Sequence, residues 1–192
     1  MSDIEKERFV VLSVEELQSM ASDAALKAAT IVGENMERQR LDGLKKEKNK
    51  KIHNTDLLLN QYRALKAACK NAVFEKTEKI KVDDVLEEIM AADNDAVVVE
   101  SIKRSAERTE LMLIHIDKMI ETFRIYCSKC GEKERREYKV IKALFISNQK
   151  RSIKSLAKEF KVSDVTIYTD LKRAKEKLSV LFFGINGLKF YD

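Results

Sequence analysis

The sequence predicts an all-α protein, with an N-terminal helical part followed by a C-terminal helix-turn-helix domain. Three observations carry that expectation. The 192 residues include no proline and only five glycines, so helix breakers are scarce. Across long stretches, apolar residues recur at three- and four-residue steps among lysine, glutamate and alanine. Finally, residues 153–178, IKSLAKEFKVSDVTIYTDLKRAKEKL, have the pattern of two short amphipathic helices joined by a three-residue turn.

The first helix is expected over residues 13–42. Ser13-Val-Glu-Glu16 is a capping box, in which hydroxyl and carboxylate each satisfy the other residue's amide. Val14, Leu17, Met20, Ala21, Ala24, Ala25, Ala28, Ile31 and Val32 follow at helical spacing. Gly33 either interrupts this helix or merely softens it. Residues 43–51, GLKKEKNKK, are a basic run that reads as an exposed helix surface or as a linker.

Asn54 is the expected N-cap of the next helix, with Leu57, Leu58, Tyr62, Leu65, Ala68, Cys69 and Val73 on its core side. Asp93-Asn94-Asp95 marks a break. A third long helix is then expected from Asp95 to Cys127, its stripe running through Ile102, Ala106, Thr109, Met112, Leu113, Ile116, Met119, Ile120, Phe123 and Tyr126. That stripe leaves two readings open, core or the seam of a coiled-coil homodimer.

Residues 134–147, ERREYKVIKALFIS, are expected as the supporting helix of a three-helix unit, because two helices alone cannot bury both apolar faces. In the next helix Ile153, Leu156, Ala157 and Phe160 make one apolar stripe. Lys161 stands where most motifs of this kind carry glycine. Ser163 is the expected N-cap of the second helix, and Val162 and Ile167 are placed to form a hydrophobic staple. Val165, Ile167, Leu171, Ala174 and Leu178 are assigned to the buried side. The polar residues left over form the outward set. Residues near the start of such a helix reach base edges, and later cations meet phosphates. Thr166, Tyr168 and Thr169 are therefore assigned to base contact, and Lys172, Arg173 and Lys175 to the DNA backbone.

Charge is distributed to match. Residues 129–180 carry 15 Lys+Arg against 7 Asp+Glu, whereas residues 1–128 carry 21 against 24. A basic end attracts duplex DNA through counterion release. The expected division is thus 1–128 for partner contact or dimerisation and 129–192 for DNA, with an apolar tail that includes Phe182, Phe183, Ile185, Leu188 and Phe190 docking on a neighbour.

Other chemistry has little support in the sequence. Cys127-Ser-Lys-Cys130 has the spacing of a metal or redox pair, but there is no second such pair and only two histidines, His53 and His115. No metal and no cofactor are expected, and His115 is assigned to the core stripe. The absence of a nucleophile motif, a glycine-rich phosphate loop or HExxH argues against an enzyme. No apolar run is long enough to cross a bilayer and MSDIEKERFV has no signal-peptide pattern, so no membrane contact and a cytoplasmic location are expected.

Three blocks, NTDLLLNQYRALKAACKNAVFE, RTELMLIHIDKMIETFRIYC and the closing stretch from ERREYKVIKALFIS through FGINGL, together resemble phage-encoded regulators of the ArpU type. The resemblance spans most of residues 53–188. It implies a transcriptional regulator of late genes in phages or prophages of Gram-positive bacteria, with a carboxyl part similar to region 4 of sigma factors. Ile153 through Leu178 and the tail from Phe183 to Leu188 carry it. Promoter DNA as target and RNA polymerase as partner follow from the same resemblance. Two rival readings are a sigma factor proper and a helical structural or packaging protein that touches DNA without sequence preference.

Overall fold

The computed structural model describes residues 13–70, 80–104 and 106–184. Among them are seven α-helices, one π-helical turn and no strand: α1 (Val14–Lys70), α2 (Val82–Ala91), α3 (Asp95–Lys103), α4 (Ala106–Lys129), α5 (Glu132–Ile141), the π turn Lys142–Ile146, α6 (Ile153–Phe160) and α7 (Asp164–Phe183). The chain is all-α. It forms two compact units, Met1–Lys45 and Lys46–Asp192. The sequence-based division after residue 128 does not coincide with this one, because α4 packs against both α5 and α7.

In the first unit α1 opens with the expected capping box: Ser13 N donates to Glu16 Oε2 at 2.8 Å and Glu16 N to Ser13 Oγ at 3.2 Å. Helix continues through Gly33 and Gly43, and each residue from Ser13 to Lys45 is exposed. The basic run is therefore helix, not linker.

In the second unit α1 contributes Leu58, Leu59, Tyr62 and Leu65 to a core shared with α2 through α7. Asn54 does not cap anything. It lies inside α1, 2% exposed, and its Nδ2 donates to the Ile89 carbonyl of α2 at 3.3 Å. Its amide was needed for a tertiary contact, which local pattern does not reveal. Tyr62 donates to Asp117 Oδ1 at 2.5 Å, a further tie between α1 and α4. Ala68 is exposed, and Val73 lies outside the described residues.

The long helix expected from Asp95 to Cys127 is two helices. Asn94 caps α3 by accepting from Val97 N at 3.0 Å. At the other end, Arg108 Nε donates to the Ser101 carbonyl and Thr109 Oγ1 to the Ile102 carbonyl, each at 2.9 Å. Side chains of α4 thus take the carbonyls that the end of a helix leaves without partners, and the chain turns there. The α4 stripe is core rather than a partner seam: Met112, Ile116 and Phe123 are fully buried. Tyr126 departs from it and is exposed. His115 Nε2 lies 2.9 Å from the Phe182 carbonyl and donates to it, meeting the last turn of α7. Phe182 is buried and Phe183 packs on the same core, while Ile185, Leu188 and Phe190 lie outside the described residues.

Candidate nucleic-acid interface

The supporting helix forms as expected, as α5 continued by the π turn. Its end is held from α1, where Arg63 Nη2 donates to the Leu144 carbonyl at 2.9 Å and Nε to the Ser147 carbonyl at 2.8 Å. Ser152 caps α6, accepting from Ser155 N at 3.2 Å. Leu156 and Ala157 then face the core, with Ile153 and Phe160 packed at its margin.

The turn between α6 and α7 explains how the motif tolerates a lysine. Lys161 adopts φ 54 and ψ 44, the left-handed conformation, and no other described non-glycine residue has positive φ. The amides of Lys161 and Val162 donate to the carbonyls of Lys158 and Ala157, at 3.3 and 3.0 Å, so α6 ends with its carbonyls satisfied. The geometry that usually selects glycine is present and a lysine bears its strain. Ser163 then caps α7: its Oγ accepts from Thr166 N at 3.2 Å. Val162 packs against the core that contains the fully buried Ile167, as a staple requires.

Along α7 the buried side is Ile167, Asp170, Ala174, Leu178, Ser179 and Phe182. Leu171 is half-buried. Val165, assigned to this side from its residue type, is instead 72% exposed. At 100° per residue it lies opposite Ala174, so helical geometry places it outward beside Tyr168, which is 59% exposed. Lys172 and Arg173 are also exposed and form no ion pair among the described residues.

The remaining assigned residues are half-buried. Thr166 Oγ1 lies 2.9 Å from Ser163 Oγ, which ties its hydroxyl to the cap. Thr169 Oγ1 donates to the Val165 carbonyl at 2.9 Å. Lys175 is turned inward: its Nζ pairs with the Asp56 carboxylate of α1 and sits over the Phe145 ring, 5.4 Å from the centroid. The sequence assigns Lys175 to the DNA backbone, and in the structure a carboxylate of the protein itself holds that charge.

Two ion pairs that sequence reasoning missed set the pitch of α7 on α5. Arg136 Nε donates to Asp170 Oδ2 at 2.6 Å, with Asp170 almost wholly buried. At the next residue of α5, Glu137 Oε2 accepts from Lys177 Nζ at 2.6 Å, seven residues along α7 from Asp170, with Glu137 fully buried. A signal existed in the sequence, since Asp170 stands three residues after Ile167 and four before Ala174, both assigned to the buried side. Charge at a core position of a helix demands a partner.

Cys127 is buried and Cys130 half-buried, both as free thiols, and burial pushes the Cys127 thiol up to about 11. Among the described residues no cluster of three His, Cys, Asp or Glu is placed to hold a metal ion. No described helix is long and apolar enough to cross a membrane.

A π-extended support helix, a short second helix and a capped third helix with an exposed outer face define a helix-turn-helix domain at the carboxyl end of an all-α chain. Residues 136–188 match a family model described as an HTH domain, a DNA-binding fold. The match begins at Arg136, the residue that grips Asp170, and so takes in α5 from that residue onward. Neither a curated protein nor a solved structure matches the chain.

Proposed function

We propose that the protein is a sequence-specific DNA-binding transcriptional regulator that acts at promoters with RNA polymerase, and that it works by binding rather than by catalysis. One observation carries the reading: within a helix-turn-helix domain, the outer face of α7 presents Val165, Tyr168, Lys172 and Arg173 to solvent, opposite the buried Ile167, Asp170 and Ala174. The N-terminal part of that face suits base edges. Val165 offers an apolar contact for a thymine methyl, Tyr168 a ring and a hydroxyl, and Thr169 a hydroxyl at the margin. Lys172 and Arg173 suit phosphates, and Lys154, Lys158 and Lys161 on α6 and the turn are exposed cations of the same domain.

The narrower identity rests on the resemblance to ArpU-type regulators and to sigma region 4. It makes the target a late promoter of a phage or prophage in a bacterial cytoplasm and leaves open both a separate activator, the reading taken here, and a sigma-like subunit. Transcription in vitro tests this directly, using a duplex enriched from a random pool by the full chain and placed upstream of a reporter start site. Addition of the protein to polymerase holoenzyme changes transcript yield from that template and not from a scrambled one. Unchanged yield from both templates overturns the regulatory reading, and start-site-specific transcription from core polymerase alone replaces it with a sigma factor.

A further inference from the structure

A cationic cleft lies beside the turn that joins α6 to α7. One face of α5 carries Glu132, Arg135, Arg136 and Lys139, which fall at i, i+3, i+4 and i+7 and so line up along the helix. With Phe160 at the end of α6 and Lys161 in the turn, they enclose a space of about 460 Å³. That is room for a small ligand or for one group of a larger one.

The charges around it are unevenly satisfied. Arg136 is bonded to Asp170, and Glu159, also on the wall, pairs with Arg151. Arg135, Lys139 and Lys161 are exposed and form no ion pair among the described residues, against one carboxylate, Glu132, in the same condition. Lys139 Nζ stands 5.9 Å from the centroid of the Phe160 ring, which spans the cleft without neutralising the charge. Arg136 is held from behind, since the buried Asp170 takes its Nε at 2.6 Å, and its two Nη groups make no hydrogen bond to a described residue. A guanidinium fixed in this way, with its fork left over, is preorganised for two oxygens of an anion.

Lys161 supplies a second observation. It holds the left-handed backbone that a Cβ makes costly and glycine does not, and its ammonium makes no hydrogen bond or ion pair among the described residues to offset that strain. Strain at a residue whose side chain gives the fold nothing points to a task outside the fold. Here that side chain adds a third free cation to the cleft, which glycine would remove.

We propose that the cleft between α5 and the α6–α7 turn binds a phosphate group, with Arg135 and Arg136 on its oxygens and Lys139 and Lys161 neutralising its charge. A phosphate monoester offers about two negative charges and several acceptor oxygens at neutral pH, which suits cations on both walls better than a carboxylate does. A free phosphorylated compound and the backbone of a duplex present the same group. The proposal stands apart from the reading of α7 as the base-contacting helix.

Titration of the isotope-labelled full chain with inorganic phosphate tests it, followed by the backbone amide signals with ionic strength held constant by chloride. The amides of Arg135, Lys139, Phe160 and Lys161 shift together along one saturable curve. Lys161→Gly weakens that binding severalfold while the domain melts at a higher temperature, so the loss is not one of folding. Arg135→Ala with Lys139→Ala weakens it as well, and Lys118→Ala, at an exposed cation of α4 outside the cleft, has no effect. Absence of a saturable shift at these residues overturns the proposal, as does wild-type phosphate binding in Lys161→Gly or an equal loss in Lys118→Ala. A duplex separates the two sources. Displacement of phosphate by bound duplex assigns the cleft to the nucleic-acid backbone, and unchanged phosphate affinity on the duplex-bound protein assigns it to a free phosphorylated compound. A chain that binds phosphate but no duplex contradicts the DNA-binding reading alone, and one that binds duplex with no phosphate in the cleft contradicts this proposal alone.

Discussion

Asp170 sits inside the domain at 1% exposure with its Oδ2 2.6 Å from the Nε of Arg136, so one charged contact joins the outward-facing helix to its support. Breaking a buried pair by removing one partner leaves an unpaired charge in the interior. Arg136→Ala, which strands the buried Asp170 carboxylate, is expected to cost about 3–5 kcal/mol, read as a lower urea midpoint at unchanged slope. Asp170→Asn keeps the shape and one acceptor and is expected to cost less. Loss of the pair also frees α7 to shift, so DNA affinity falls at temperatures where the domain is still folded.

Lys161 holds a left-handed backbone with φ 54 at the junction of α6 and α7. Glycine adopts that conformation without the clash that a Cβ meets. Lys161→Gly is expected to raise stability by about 1 kcal/mol, and Lys161→Val to lower it. Chemical denaturation of the two variants side by side checks both signs.

The cations of α7 divide into two kinds. Lys172 and Arg173 are exposed, and removal of either is expected to weaken binding to every duplex and to reduce the slope of log affinity against log salt by about 1. Lys175 is engaged with Asp56, so Lys175→Ala is expected to leave that slope unchanged and to show its effect in stability. Titrations at several salt concentrations separate the two behaviours. Thr166→Ala removes a hydroxyl bound to the cap Ser163 and is expected to alter stability as well as sequence preference, whereas Tyr168→Ala acts on preference without cost to the fold.

Burial holds Cys127 protonated to about 11, against an ordinary thiol value of 9.0. Below pH 9 both folded and unfolded states keep the proton, and the thiol contributes no pH dependence. Above it the unfolded chain ionises first and binds fewer protons, so stability falls as pH rises from about 9 to about 11. Cys127→Ala is expected to flatten that part of the profile. In the native protein at pH 7.5, roughly neutral, Cys127 is expected to resist alkylation that labels Cys130.

Features set by neighbours in sequence were legible. Both serine caps, Ser13 and Ser163, place hydroxyl and amide within three residues, and each is found as expected. The helix-turn-helix itself was legible for the same reason, since its two helices and turn occupy one short stretch. What escaped depended on partners far along the chain. Asn54 is spent on the Ile89 carbonyl, Lys175 on Asp56, and the break before α4 is made by Arg108 and Thr109 reaching back to α3. Val165 is different. Its outward position follows from helical angle alone, and grouping it with Ile167 by residue type concealed it.

Under the proposed function, α7 distinguishes one duplex sequence from another. The most direct measurement is the affinity of the full chain for a duplex enriched from a random pool, against a scrambled duplex of equal length and composition, by fluorescence anisotropy at constant salt. A preference of about a thousandfold or more, reduced by Tyr168→Ala and preserved in Lys175→Ala, is the predicted result. Equal affinity for both duplexes, with the same salt slope, would contradict it.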